Sequence, residues 1–197
     1  MSGAISVELL DPAAAADPGL VERLTGLVND VYTASEDGLW RDGAMRTTAS
    51  EMAALIEDGQ IAVATVAGRL AGSVRVQVLS ELTGEFGLLA ADPEHRGIGV
   101  GRELVAFAER ISRDRGLQAM QLELLVPRTW SHPSKLFLDE WYRRIGYEVI
   151  RRTSADDLQP ELAPLLATPC DFVVYEKALN GSRDSLSAAE GHVQRAE

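Results

Sequence analysis

Apolar residues in this chain recur at two spacings, and each switch of spacing marks an element. Residues 4 to 10, AISVELL, alternate loosely and predict a first strand. From 17 to 35, DPGLVERLTGLVNDVYTAS, residues Leu20, Leu24, Leu27, Val28 and Val31 return at helical spacing. Asp17 is placed to cap that helix and Pro18 to open it. TTASEMAALIEDG predicts a second, short helix capped by Thr48 or Ser50 and ended at Gly59. Two extended runs, QIAVATV and RLAGSVRVQVL, meet at AGR and read as a hairpin. A further extended run, GEFGLLAA, covers 84 to 91. A glycine-rich stretch follows. Then comes a helix to about Gly116, with Leu104, Val105, Ala108 and Ile111 as its apolar stripe.

AMQLELLV, 119 to 126, alternates cleanly: Met120, Leu122, Leu124 and Val126 on one face, Gln121 and Glu123 on the other. SHPSKLFLDEWYRRIGY predicts a loop and a helix stopped at Gly146. YEVIRR is a short strand, 153 to 169 a proline-bearing loop, and CDFVVYEKAL a last strand. Residues 180 to 197 carry little apolar content and are expected to be a disordered tail behind a single domain, 1 to 179. Early hairpins followed by a strand–helix–strand unit predict an α/β architecture with a mixed sheet. No internal repeat is visible.

Composition narrows the class. At 197 residues and 46% hydrophobic content, one domain with a real core is expected. No apolar run is long enough to span a membrane, and MSGAISVELLDP lacks a basic region followed by an apolar stretch. A cytoplasmic protein without membrane partners is therefore expected. The lone Cys170 has no internal disulfide partner and reads as a small buried hydrophobe. Lys and Arg number 19 against 30 Asp and Glu, a formal charge of -11. Such a chain repels phosphate backbones, which argues against nucleic acid, and attracts cations such as a protonated amine. With three histidines and one cysteine, scattered, no metal-site spacing exists.

DPEHRGIGVGRELV, 92 to 105, places Gly97, Gly99 and Gly101 where a helix should start. The first N–H groups of a helix have no internal acceptor, its dipole is positive there, and missing Cβ atoms admit a phosphate. A tight turn that is merely glycine-rich explains the same letters. Two common phosphate loops are excluded by spacing. Gly101-Arg102-Glu103 stands where a Walker loop needs Gly-Lys-Ser or Gly-Lys-Thr. The sixth position counted from Gly97 is Arg102, and from Gly99 it is Leu104, so no dinucleotide fingerprint forms.

Arg96-x-x-Gly99-x-Gly101 after a strand ending LAADP resembles the acyl-CoA-binding motif of the GNAT family of N-acetyltransferases. WYRRIGYEVIRR resembles the family's second signature, here Tyr142, Gly146 and Tyr147. The resemblance extends over residues 4 to about 179. It implies a mostly antiparallel central sheet flanked by helices and splayed between the fourth and fifth strands. It implies acetyl-CoA as co-substrate, no metal, and direct transfer of acetyl to a primary amine of a small molecule or peptide. A non-catalytic acyl-CoA sensor would keep the same cradle, as would a nucleotide-binding regulator. A homodimer is expected only by analogy.

The resemblance also assigns residues. The cofactor diphosphate would lie on the backbone of Arg96, Gly97, Gly99, Gly101 and Arg102, and the pantetheine arm on backbone groups of Leu89 and Ala91. A strand-interior glycine such as Gly87 often marks a bulge. Glu85, eleven residues before Arg96, takes the position of the catalytic base in some members, with Glu123 in reserve. Period-two alternation puts Glu85 on the face of Leu89 unless a bulge flips the phase. Tyr142 takes the position of the acid that protonates the leaving thiolate. Trp141 reads as a core aromatic. Lys135 stands where the family often has a cofactor-contacting asparagine, so no role is carried onto it. His132, beside Pro133, reads as incidental. The acceptor would be walled by 33 to 47, with Glu36, Asp37 and Trp40, and by 153 to 169, with Asp156 and Asp157; carboxylates and an aromatic suit a cationic amine.

Overall fold

A computed structural model describes residues 4–179, so the tail expected at 180–197 lies outside the described residues. Seven strands form one sheet: β1 (Ile5–Leu9), β2 (Ile61–Val66), β3 (Arg69–Val78), β4 (Thr83–Ala91), β5 (Ala119–Pro127), β6 (Glu148–Ser154) and β7 (Cys170–Ala178). Their spatial order is β1-β2-β3-β4-β5-β7-β6. Every neighbouring pair is antiparallel except β4 and β5. Those two pair in parallel only at Thr83↔Ala119, Gly84↔Met120 and Glu85↔Gln121. Beyond Glu85 they part, which gives the splay expected between the fourth and fifth strands.

The helices start where the sequence supplies caps. In α1 (Pro18–Ser35) the Asp17 side chain accepts from Leu20 N–H at 3.1 Å. In α2 (Ala49–Glu57) Thr48 and Glu51 form a reciprocal capping box. These two helices cover one face of the sheet, burying Leu24, Val28, Met52 and Ile56 against Ile61, Val63 and Ala90. The other face is covered by α3 (Val100–Asp114) and α4 (Pro133–Arg144), over a core that includes Phe86, Leu104, Met120, Leu122, Tyr142 and Tyr175. Each such side chain contributes about 1.5–3 kcal/mol on burial. A smaller cluster, Leu39, Leu125, Cys170 and Phe172, closes the far end beside the single-turn α5 (Ala155–Leu158). Cys170 is buried as a hydrophobe, its Sγ donating to Thr168 O at 3.3 Å, and burial pushes the thiol up to about 11.

Strand β4 carries a bulge, one residue beyond the glycine expected to mark it. Opposite β3 the register runs Arg75↔Gly87 and then Ser73↔Ala90, so β4 holds one residue more than its partner. Leu88 takes the strain, with φ at +46°. Leu88 packs toward α1 and α2, and Leu89 packs toward α3 and α4. The phase of the strand therefore changes between Glu85 and Leu89, and the two do not share a face as unbroken alternation requires. No helix among the described residues is long and apolar enough to cross a membrane.

Candidate active site

The chain turns out of β4 at Ala91 into a 3-10 turn, Pro93–His95, and reaches Gly99, the N-cap of α3. Gly97 and Gly99 have φ of 84° and 97°, left-handed values that cost a residue with a Cβ about 1–2 kcal/mol. Gly101 is different. It is helical, and a Cβ built there would meet nothing nearer than the Trp141 ring at 3.9 Å. The fold alone gives no reason for glycine at this position; the space its missing Cβ leaves lies in a cavity. From Gly97 to Arg102 no backbone N–H finds an acceptor among the described residues, and the first intrahelical bond is Glu103 N–H to Gly99 O. Gly99 also brings no capping side chain.

That cavity measures about 690 Å³. It is lined by Leu89 and Ala91 of β4, by Arg96, Gly97, Gly99, Gly101 and Arg102 of the loop, and by Trp141 of α4. All seven residues expected to hold the cofactor thus meet around one space. Arg102 itself is 70% exposed and pairs with Glu103, so its side chain points to solvent.

Across the sheet, under α1 and α2, a second cavity of about 430 Å³ is lined by Tyr32, Arg46, Glu85, Gly87, Leu88, Glu123 and Gln159, among others. Glu85 reaches it from β4, Glu123 from β5. The pairing Glu85↔Gln121 sets Glu123 two residues farther along the parting strands, on the same face. Burial raises the Glu85 carboxyl above its ordinary range, against a hydrogen bond from Gln77 Nε2 at 3.1 Å and the charge of Arg75. Burial, and then the charge of Glu85, raise Glu123, which accepts from Gln159 Nε2 at 2.7 Å. Arg75 in turn donates to Gln60 and Gln77, so a polar chain runs from β3 to Glu85.

Tyr142 stands on the opposite side of the seam. Its ring lies 6.1 Å from that of Phe86, the residue after Glu85, and 5.8 Å from that of Tyr175. Burial pushes its phenol far above the ordinary tyrosine range. Tyr147 of the same motif is core: its hydroxyl donates to the buried Glu109, which also takes Lys177.

Both outer loops reach the cavities: Arg46, Thr47, Gln159 and Leu162 line the one with the carboxylates, and Glu36, Asp37 and Trp40 line its neighbour. Glu36 lines a third cavity of about 450 Å³ beside Trp40, but its carboxylate is already engaged. One oxygen accepts from the buried Lys135 of α4 and the other from Trp40 Nε1. Lys135, standing where the family often has asparagine, is thus a structural tie. His132 is a tie as well: Nδ1 accepts from Ser134 N–H at 3.2 Å, Nε2 lies 3.1 Å from Asp37 O, and the ring caps α4. Asp156 and Asp157 stay on the surface in α5, where Asp156 sits 3.7 Å from Arg128; neither lines the carboxylate cavity. Tyr32, Arg46 and Gln159 line it instead, and no spacing in the sequence singles them out. Among the described residues, no three His, Cys, Asp or Glu side chains gather as metal ligands.

Residues 27–147 match the model of the Acetyltransferase (GNAT) family. No curated protein matches the chain at the level of sequence. Solved structures share its fold. One is yncA from Salmonella typhimurium with its cofactor acetyl-CoA, at 16% identity and a TM-score of 0.61, over 91% of this chain and 96% of that one. Another is the ribosomal-protein-alanine N-acetyltransferase of Brucella melitensis, at 14% identity and 0.62, over 88% and 99%. A third is the IAA acetyltransferase of Bacillus cereus, at 12% identity and 0.57, over 89% and 99%. With the family model covering over half of its 197 residues, including the glycine loop and the Tyr142 helix, this chain is a member of the GNAT acetyltransferase family.

Proposed function

We propose that this acetyltransferase moves an acetyl group from acetyl-CoA to a primary amine by direct attack across the splayed seam. One observation carries the reading. A cavity rimmed by free backbone N–H groups lies on one side of the seam, and a cavity holding two carboxylates lies on the other. The cofactor seen with yncA agrees with the first of these.

In this reading the diphosphate lies on the N–H groups of Gly97 to Arg102, and backbone groups of Leu89 and Ala91 hold the pantetheine arm. The thioester then enters the gap between β4 and β5. An alkylammonium arriving beside Glu85 gives that carboxylate a proton, directly or through water. A carboxylate whose pKa is raised binds the proton more tightly and so is a stronger base than an ordinary one. The freed nitrogen lone pair attacks the thioester carbon, giving a tetrahedral adduct. The C–S bond then breaks with its electrons going to sulfur. The Tyr142 phenol protonates that thiolate and recovers its proton from the nitrogen of the new amide through solvent. The net products are amide, thiol and one proton released from Glu85. Glu123 is the reserve base, and its charge keeps the cavity attractive to cations.

Thiol release from acetyl-CoA, followed with a panel of small amines and peptides, tests the reading. Turnover with at least one amine is expected. Tight binding of acetyl-CoA with no thiol released from any amine overturns it in favour of an acyl-CoA sensor.

A further inference from the structure

Arg46 lies over the carboxylate cavity, where its charge acts on Glu123 without any carboxylate pairing with it directly among the described residues. Its guanidinium carbon is 5.0 Å from the centre of the Tyr32 ring and 5.5 Å from that of Trp40. Its Nε is buried without a hydrogen-bond partner. Among the described residues it joins no ion pair, although the chain holds 30 acidic residues. Arginine donors removed from water are normally satisfied, because an unpaired buried one costs the full desolvation of the group.

The backbone under Arg46 is also fixed. Asn29 of α1 accepts from Arg46 N–H at 2.8 Å and from Thr47 N–H at 3.1 Å, and donates back to Thr47 O at 2.9 Å. Two aromatic faces hold the side chain and one amide clamp holds the main chain. A preorganised arginine fork of this kind suits a planar anion, which it can meet with two parallel hydrogen bonds. Below it, in the same cavity, Glu85 and Glu123 suit a cation.

We infer that the acceptor is a small amino acid-type zwitterion, its carboxylate held by Arg46 and its amine directed to Glu85 and Glu123. This rests on the transferase reading above and narrows it. An alkylamine without a carboxylate would leave the Arg46 donors unpaired, so discrimination against it is built in.

The test compares each standard amino acid with its own carboxamide as acceptor, using thiol release from acetyl-CoA. Loss of one charge-assisted contact corresponds to about 10- to 100-fold. At least one acid is expected to exceed its amide by that factor in kcat/KM, mainly through KM. In Arg46→Met the acid/amide ratio should collapse toward one, and Arg46→Lys should restore part of it. Equal use of acid and amide, or a ratio that survives Arg46→Met, overturns the inference. Should Arg46→Met fail to fold, the ratio measured on the unaltered protein decides alone. A second arm reads binding without turnover: amino acids added to the CoA-loaded protein should raise its melting temperature, and Arg46→Lys should weaken that rise. If no amine is acetylated but this shift occurs, the anion site stands and the transferase reading falls. If neither occurs, the anion site falls.

Discussion

Lys135 Nζ lies 2.5 Å from Glu36 Oε1, joining the first turn of α4 to the C-cap of α1 across 99 residues of sequence. Both side chains are buried, at 5% and 3% exposure. Burial lowers the lysine's pKa while the glutamate pulls it back up. Lys135→Ala should strand a buried carboxylate and cost about 3–5 kcal/mol, whereas replacing both residues with apolar ones of similar volume should cost far less. Urea unfolding of the single and double variants measures the difference. Equal destabilisation by both would show that packing, not the charge, matters here.

Glu85→Gln should lower kcat/KM by about 10²–10⁴-fold if this carboxylate is the base. Its raised pKa fixes two signs. The rate should fall as pH drops through that raised value, because the base becomes protonated. Stability should move the other way. The native carboxyl binds its proton more tightly than the unfolded one, so its contribution is full below the unfolded pKa and is lost as pH rises through the folded one. Glu85→Gln should therefore raise the melting temperature at neutral pH while it abolishes most turnover. Melting curves and pH–rate profiles of the pair check both signs. If Glu123→Gln produces the rate loss instead, the reserve residue is the base.

Tyr142→Phe keeps the ring contacts with Phe86 and Tyr175 and removes only the phenol. Its kcat should fall about 10²-fold or more, with little change in melting temperature. A variant that turns over as fast as the parent dismisses Tyr142 as the acid.

Gly101→Ala separates the needs of the fold from those of the ligand. Alanine is the better helix residue by up to about 1 kcal/mol, and its Cβ meets no close contact, so stability should hold or rise. The same methyl would crowd a diphosphate on the loop, at about 1–3 kcal/mol, or roughly 10- to 100-fold in Kd for coenzyme A. Calorimetric titration beside a melting curve reads both effects. Gly99→Ala, forced into a left-handed backbone, should lose both stability and affinity.

The elements were legible because their signals are local. Asp17 and Thr48 cap α1 and α2 as read, and the alternation of 119–126 places Glu123 on the face it occupies. The glycine loop was legible for the same reason, since conformation and dipole are set within a few residues. What escaped depends on partners far away in the chain. Glu36 reads as a free carboxylate until Lys135 arrives. Asp156 and Asp157 read as acceptor wall until α5 turns them outward. Arg46 is one arginine in a polar loop, and only Tyr32, Trp40 and Asn29 give it a purpose.

The extra residue in β4 lets one strand serve two compartments. Upstream of Leu88 the strand hands Glu85 to the carboxylate cavity; downstream it turns Leu89 and Ala91 toward the cavity of the glycine loop. Deleting Leu88 would restore an even pleat, and any side chain fixed on one side would then drag its counterpart across the sheet. The proton removal and thioester delivery we propose would no longer face each other through the gap, however intact each half remained.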